Sequence, residues 1–394
     1  MKRYKKLLIV LVTVLAAAGV FGAFQVYSRY RTDRDRRQAV EKLQNSLAET
    51  AARYQERSAT LTIDGDNHVY TMTELGEHIY YEYENKTYEL GNESSLASLL
   101  FDADSSISEE ELDSLVQSES DADAVTKIMK ELSSTYDTSA KNARINSHGK
   151  ITASKPGHVL DTTSIYNDLT SYLSQKTTDN YSASYKTSAV EPAWTTEDLK
   201  EVNTVISSYS TSFVSTNPRG ANIKIAASRL DNSFLLPGES ISFLNVLYDD
   251  SDGKSYQKSG AFFKGKVVQA EGGGICQVST TAYASFLFAG IIPTKRYPHS
   301  IPVSYSPLGL DAALSVGGKD LLVENTLDYP LLISAKTKGN TLNVHLTSYA
   351  NALKGYRYKP RAEKLSSKKA KSYLDVYKNG KKVKTIFLGK DTYD

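Results

Sequence analysis

The chain holds one cysteine, Cys276, among 394 residues. No intramolecular disulfide can staple it, so each domain has to be held by its own apolar core. That cysteine also stands in the most constrained stretch of the sequence, Glu271-Gly272-Gly273-Gly274-Ile275-Cys276-Gln277-Val278-Ser279. Three successive glycines let the backbone turn sharply and leave its N–H groups uncovered. Beyond them Ile275, Val278, Ala282, Phe286 and Ala289 recur at helical spacing and Gly290 reads as a C-cap, which predicts a helix over 275–289. A helix start carries unpaired donors and partial positive charge, which favours a thiolate and can hold the oxyanion of an attacked carbonyl. The competing reading is a small buried thiol behind a tight turn. The residues alone leave both open.

A chain of this length should hold two or more domains. Lys and Arg number 47 against 45 Asp and Glu, a balance that gives no nucleic-acid footprint. The charge is unevenly placed. Residues 7–24 are uncharged and mostly apolar behind Lys2, Arg3, Lys5 and Lys6, and about 18 residues reach the lower limit for spanning a bilayer. Ala16-Ala17-Ala18 would serve as a cleavage site, but apolar residues continue through Val20, Phe21, Ala23 and Phe24. The expectation is an uncleaved single-pass anchor in the cell membrane with the bulk of the chain extracytoplasmic. Arg29, Arg31, Arg34, Arg36 and Arg37 vote the other way by the positive-inside rule.

The expected order is a cytoplasmic tip and anchor (1–30), a polar helical stalk (31–60), a first α+β domain (61–195), a second (200–349) and a basic tail (350–394). The first domain opens with tyrosine-rich strands over 61–90. An acidic tract without Lys or Arg follows (91–125), holding a helix capped by Ser106 or Ser108 with Glu109, Glu110 and Glu111 in its first turn. Another helix covers 127–132, short strands surround 147–150, and the Pro156–Asp161 turn leads into a helix ending near Leu173. Thr195-Thr196-Glu197-Asp198 has capping chemistry. His68, His78, His148 and His158 are too scattered for a metal site, and no cofactor is expected.

The second domain reads as helices over 222–230 and 275–289 among strands at 212–214, 241–247, 265–268, 301–305, 321–324, 331–335 and 341–347. The tail carries thirteen Lys and Arg against four Asp and Glu. Asn379-Gly380 between 373–377 and 382–388 marks a hairpin; its basic patch suits an anionic wall polymer or lipid headgroups, and equally a solvated lysine-rich surface. The class is α+β.

Several ordered blocks carry a resemblance. They are Arg219-Gly-Ala-Asn222-Ile223, Pro237-Gly-Glu-Ser-Ile-Ser-Phe243, Gly272–Thr280, Pro298-His-Ser-Ile-Pro-Val-Ser-Tyr305, Asp311-Ala312, Asp320-Leu321, Asn325 and Tyr329-Pro330. Residues 218–348 thereby resemble the VanW family, named for an accessory gene of vancomycin-resistance clusters. Residues 61–192 are similar to the peptidoglycan-binding domain that often precedes it. The resemblance implies a surface protein of a Gram-positive type of envelope that works on peptidoglycan. It further implies a link to L,D-transpeptidase activity, with the glycine-flanked cysteine as nucleophile. In one place the chain departs from the pattern: it has Leu310 where many members carry Arg.

Acyl transfer needs a nucleophile, a base that becomes an acid, an oxyanion site and groups for the charged peptide ends. Cys276 is the candidate nucleophile. His299 is the candidate base, since His345, the other histidine beyond Trp194, falls in a strand pattern and reads as structural. Asp311 is the candidate orienter of His299. Gly273, Gly274, Ile275 and Gln277 are expected to present the oxyanion site and substrate contacts, with Arg296, Ser300 and Glu271 beside them. The expected substrates are peptidoglycan stem peptides. The second reading is a non-catalytic, membrane-tethered peptidoglycan binder in which Cys276 packs a core.

Overall fold

A computed structural model describes residues 33–103, 107–263 and 266–394. The expected anchor at 7–24 and Ser106 lie outside the described residues. Among those described, no helix is long and apolar enough to cross a membrane. The chain forms two compact α+β units, one from residues up to Ala140 with Pro156–Glu191, the other from Lys141–Lys155 with Pro192–Asp394.

The first unit starts with α1 (Asp33–Gln55), the helix expected as a stalk. It does not stand alone. Ala39, Leu43, Leu47, Ala51 and Tyr54 form one buried stripe in a core with Tyr81, Leu96, Leu100 and Leu112, as their three- and four-residue spacing dictates. The strands β1 (Ser58–Ile63), β2 (Asp66–Thr71), β3 (Glu77–Tyr83) and β4 (Lys86–Glu89) follow. Next come α2 (Glu93–Ala103), α3 (Glu109–Leu115), β5 (Val116–Ser120) and α4 (Ala122–Tyr136). Ser108 caps α3 in a full capping box with Glu111. The chain then lends β6 (Arg144–Ile145) and β7 (Ile151–Thr152) to the second unit. It returns as β8 (Gly157–Val159), α5 (Thr162–Leu173), β9 (Tyr181–Tyr185) and β10 (Ser188–Val190). β9 runs parallel to β1 in a β2-β1-β9 sheet.

The second unit opens with α6 (Thr196–Lys200), whose Thr195 cap and Asp198 complete another capping box. Its main sheet joins β11 (Thr204–Ser212), β12 (Ser233–Leu235), β17 (Leu331–Lys338) and β18 (Thr341–Ser348) in the antiparallel order β11-β18-β17-β12. Between these run α7 (Pro218–Leu230), β13 (Ser240–Ser242), α8 (Phe243–Leu247), the hairpin β14 (Lys258–Phe263) and β15 (Lys266–Glu271), α9 (Ile275–Phe288) and β16 (Leu322–Glu324). α9 lies on the sheet, buried along almost its whole length. Its polar side chains are hydrogen-bonded there: Ser285 Oγ donates to Val344 O, and Thr281 pairs with Thr211 of β11.

Four expectations change. The strand expected at 241–247 stops at Ser242, whose Oγ accepts from Asn245 N–H and starts α8. Of the strand expected at 212–214 only Ser212 belongs to one, as the last residue of β11, which begins at Thr204. Residues 301–305 form no strand, and Pro302 has no N–H to give to a ladder. The basic tail is more than a hairpin: β19 (Tyr356–Ser366), β20 (Lys369–Lys378) and β21 (Lys381–Thr392) make a three-stranded antiparallel sheet. Asn379 and Gly380 take φ of +50° and +77° at its second turn, as a primed two-residue hairpin turn requires. Leu374 enters the main core of the unit.

Candidate active site

The β14–β15 hairpin delivers the chain into the three glycines. Gly272 and Gly274 adopt φ of +80° and +110°, where a side chain would be strained. Gly273 is small for a different reason: a Cβ there would stand 2.3 Å from Ser259 Oγ and 2.6 Å from Gly260 O. Its carbonyl accepts from Ser259 Oγ (2.9 Å) and from the fully buried Asn222 Nδ2 of α7 (3.0 Å). Ile275 N–H closes on Gly272 O and Gln277 N–H on Gly274 O, which makes Cys276 the second residue of α9. At that position the helix has no carbonyl to offer its N–H.

Cys276 Sγ accepts from Leu314 N–H at 3.3 Å and its thiol lies 3.5 Å from Leu314 O. It is also hydrogen-bonded to His299. His299 Nδ1 lies 2.6 Å from Asp311 Oδ2, which accepts the His299 backbone N–H as well (2.8 Å). An Nδ1–H directed at Asp311 leaves Nε2 for Cys276. Tyr305 OH stands 3.4 Å from that same Nε2. The second oxygen of Asp311 accepts from Tyr393 OH (2.6 Å) and Arg296 Nη2 (3.1 Å).

The charges follow this geometry. Burial alone would push His299 down, but its hydrogen bonds to Asp311 and Cys276 outweigh that and raise it to about 9. Burial would raise Asp311, yet His299 and Arg296 hold it at about 2. The pair is therefore poised as imidazolium and carboxylate. Burial lifts the Tyr305 phenol well above its ordinary range, so it stays neutral. A cavity of about 510 Å³ opens over the sulfur. Its walls include Arg219, Tyr248, Glu271, the three glycines, His299, Ser300, Tyr305, Leu314 and Lys319.

Cys276, His299 and Asp311 are thus brought together, with Gly273, Gly274, Ser300 and Glu271 at the cavity. Three other expected contacts lie elsewhere. Ile275 is a core residue and its N–H is taken by Gly272. Gln277 is one residue past Cys276, about 100° round the helix, and donates to Thr211 Oγ1 and Ser212 O, both at 2.9 Å. Arg296 faces away from the cavity and braces Asp311: Nε donates to its carbonyl, Nη2 to its carboxylate, and Nη1 to Asp391 of β21. Sequence reasoning missed Arg219, Tyr305 and Lys319 as lining residues, although the first two stand in the quoted blocks. Tyr393 carried no local signal, since its partner Asp311 is 82 residues away.

Residues 218–347 match the family model described as VanW like protein. The YoaR protein of Bacillus subtilis (strain 168), itself uncharacterized, is 30% identical over 230 residues, covering 58% of this chain and 75% of its own. The chain belongs to the VanW family. A second VanW relative is the vancomycin B-type resistance protein VanW of Enterococcus faecalis (strain ATCC 700802 / V583). It is 31% identical over 112 residues, covering 27% of this chain and 41% of its own. Residues 68–181 match a domain model named for peptidoglycan binding. Together these matches support a cell-wall-associated VanW protein. No solved structure matches.

Proposed function

We propose that this VanW protein is a membrane-anchored cysteine acyltransferase of the cell wall, acting on peptidoglycan stem peptides in the manner of an L,D-transpeptidase. The observation that carries the reading is the hydrogen-bonded line from Cys276 through His299 to Asp311, set at the floor of an open cavity. With the thiol proton already resting on the His299 imidazolium, the sulfur attacks as a thiolate and bonds to the carbonyl carbon between the third and fourth residues of a donor stem. The C=O electron pair moves to oxygen, towards the Cys276 N–H at the helix start. On collapse the C–N bond breaks, and the imidazolium proton passes to the leaving nitrogen of the D-amino acid. The thioester then accepts the side-chain amine of a second stem, His299 takes the proton lost by that amine, and the sulfur leaves. Asp311 holds the productive tautomer and supports the imidazolium. The anchor at 7–24 and the peptidoglycan-binding unit keep this site at the wall, and the basic β19–β21 sheet rests on an anionic wall polymer.

The test incubates the protein with purified wall fragments and follows new cross-links and released D-alanine by mass spectrometry. Wild type should produce both, and Cys276→Ala should produce neither while keeping its fold and its wall binding. Iodoacetamide should alkylate Cys276 faster than a free thiol at neutral pH. Unchanged cross-linking by Cys276→Ala, or a thiol that resists alkylation, would leave the non-catalytic binder as the reading. The anchor is tested separately: recovery of a mature chain beginning after residue 18 would exclude it.

A further inference from the structure

The cavity over Cys276 has three basic side chains in its walls, and two of them are engaged. His299 belongs to the line just described, and Lys319 Nζ donates to Pro298 O at 2.8 Å. Arg219 is different. It is the second residue of α7 and half-buried, and its guanidinium lies over the Tyr305 ring, 5.7 Å from the centroid. Among the described residues no carboxylate forms an ion pair with it. Its position is nevertheless fixed. The Arg219 carbonyl oxygen and Cγ lie 3.0 and 3.1 Å from where a Cβ on Gly274 would stand. The glycine two residues before the nucleophile is thus what lets Arg219 come so close.

An arginine offers five N–H donors in a planar fork matched to a carboxylate. Stacking on Tyr305 holds that plane, and Tyr305 reaches His299 Nε2 from the same ring. A free carboxylate on the residue just past an attacked carbonyl sits one residue length from it, about 3.8 Å between Cα atoms. We propose that Arg219 is a specificity-determining residue that binds the carboxylate of the departing D-amino acid. The site then requires a donor whose leaving residue is its last. The buried Leu310 plays no part in this. The assignment rests on the acyl-transfer reading above.

The experiment uses the full chain and two donors, a stem tetrapeptide ending in a free D-alanine carboxylate and the same peptide ending in D-alaninamide. Wild type should release D-alanine with kcat/KM at least about tenfold above that for D-alaninamide, the scale of one charge-assisted hydrogen-bond pair. Arg219→Gln should lower the free-acid value far more than the amide value, until the two donors are equal. Arg219→Lys should restore part of the preference, as a point charge does. Arg219→Gln retaining the preference, or losing both donors equally, overturns the proposal. If wild type turns over neither donor, it is the acyl-transfer reading that fails. Binding then judges Arg219: Cys276→Ala should bind the acid more tightly than the amide, and the Cys276→Ala/Arg219→Gln pair should not. Equal affinity of Cys276→Ala for the two peptides overturns the assignment.

Discussion

Raising the pH through 9 should weaken the second unit at one identifiable group, His299. The imidazole titrates at 6.5 in the absence of structure and at about 9 in the fold, where its hydrogen bonds to Asp311 and Cys276 outweigh the effect of burial. A folded value above the unfolded one means that the bound proton stabilises the native state. That contribution is complete below pH 6.5 and is lost as pH rises through about 9. At about 1.36 kcal/mol for each pH unit of the window, the loss comes to about 3 kcal/mol. Against a typical net stability of about 5–15 kcal/mol this is easily measured. The assay is built in. Trp194 is the only tryptophan in the chain and stacks edge-on against Tyr349, with ring centroids 6.3 Å apart, inside the second unit. Its emission therefore follows that unit alone during urea unfolding. Wild type should exceed His299→Gln in stability below pH 6.5, and the gap should close by about 3 kcal/mol above pH 9. A gap that does not change with pH would refute the argument, because other alkaline effects are common to both proteins.

Three further outcomes are expected. Gly273→Ala should destabilise the second unit by about 1–3 kcal/mol, because its Cβ would press on Ser259 and the Gly260 carbonyl; an unchanged urea midpoint would count against the tight turn. Tyr393→Phe removes a donor to Asp311 and an acceptor for Gly309 N–H, and should lower stability by about 1.5–3 kcal/mol in the same assay. Wall binding should weaken steeply with salt if β19–β21 meets an anionic polymer, since exposed charges are screened over about 10 Å at 0.1 M. Salt-independent binding that survives removal of residues 350–394 would place it in the first unit.

Much of the local structure was legible. α9 could be read because its apolar period and its flanking glycines are local signals, and Gly290 does take φ of +78° after it. The caps at Ser108 and Thr195 were legible for the same reason. α1 was read as a helix, but Glu, Arg and Gln on its outer face masked the stripe of Ala39, Leu43, Leu47 and Ala51. The residue types of the site were visible, and so was the pairing of His299 with Asp311. Arg296 was not. In sequence, an arginine whose donors are taken up by Asp311 and Asp391 looks the same as Arg219, which faces the cavity. Only tertiary structure separates the two, and Asp391 lies 95 residues from Arg296.

The chain leaves its first unit after Ala140, returns at Pro156 and leaves again at Glu191. No single cut can therefore release either unit whole. A fragment beginning at Pro192 would lack β6 and β7, and with them Ala143 and Ile145, uncovering Leu199, Phe234 and Leu236. A fragment ending at Ala140 would lose Ile165 and Leu169 from beneath β1. During synthesis the first unit cannot close until Glu191 has emerged, by which time the strands borrowed by the second are already waiting for it. Separating the two units therefore means opening one of their cores.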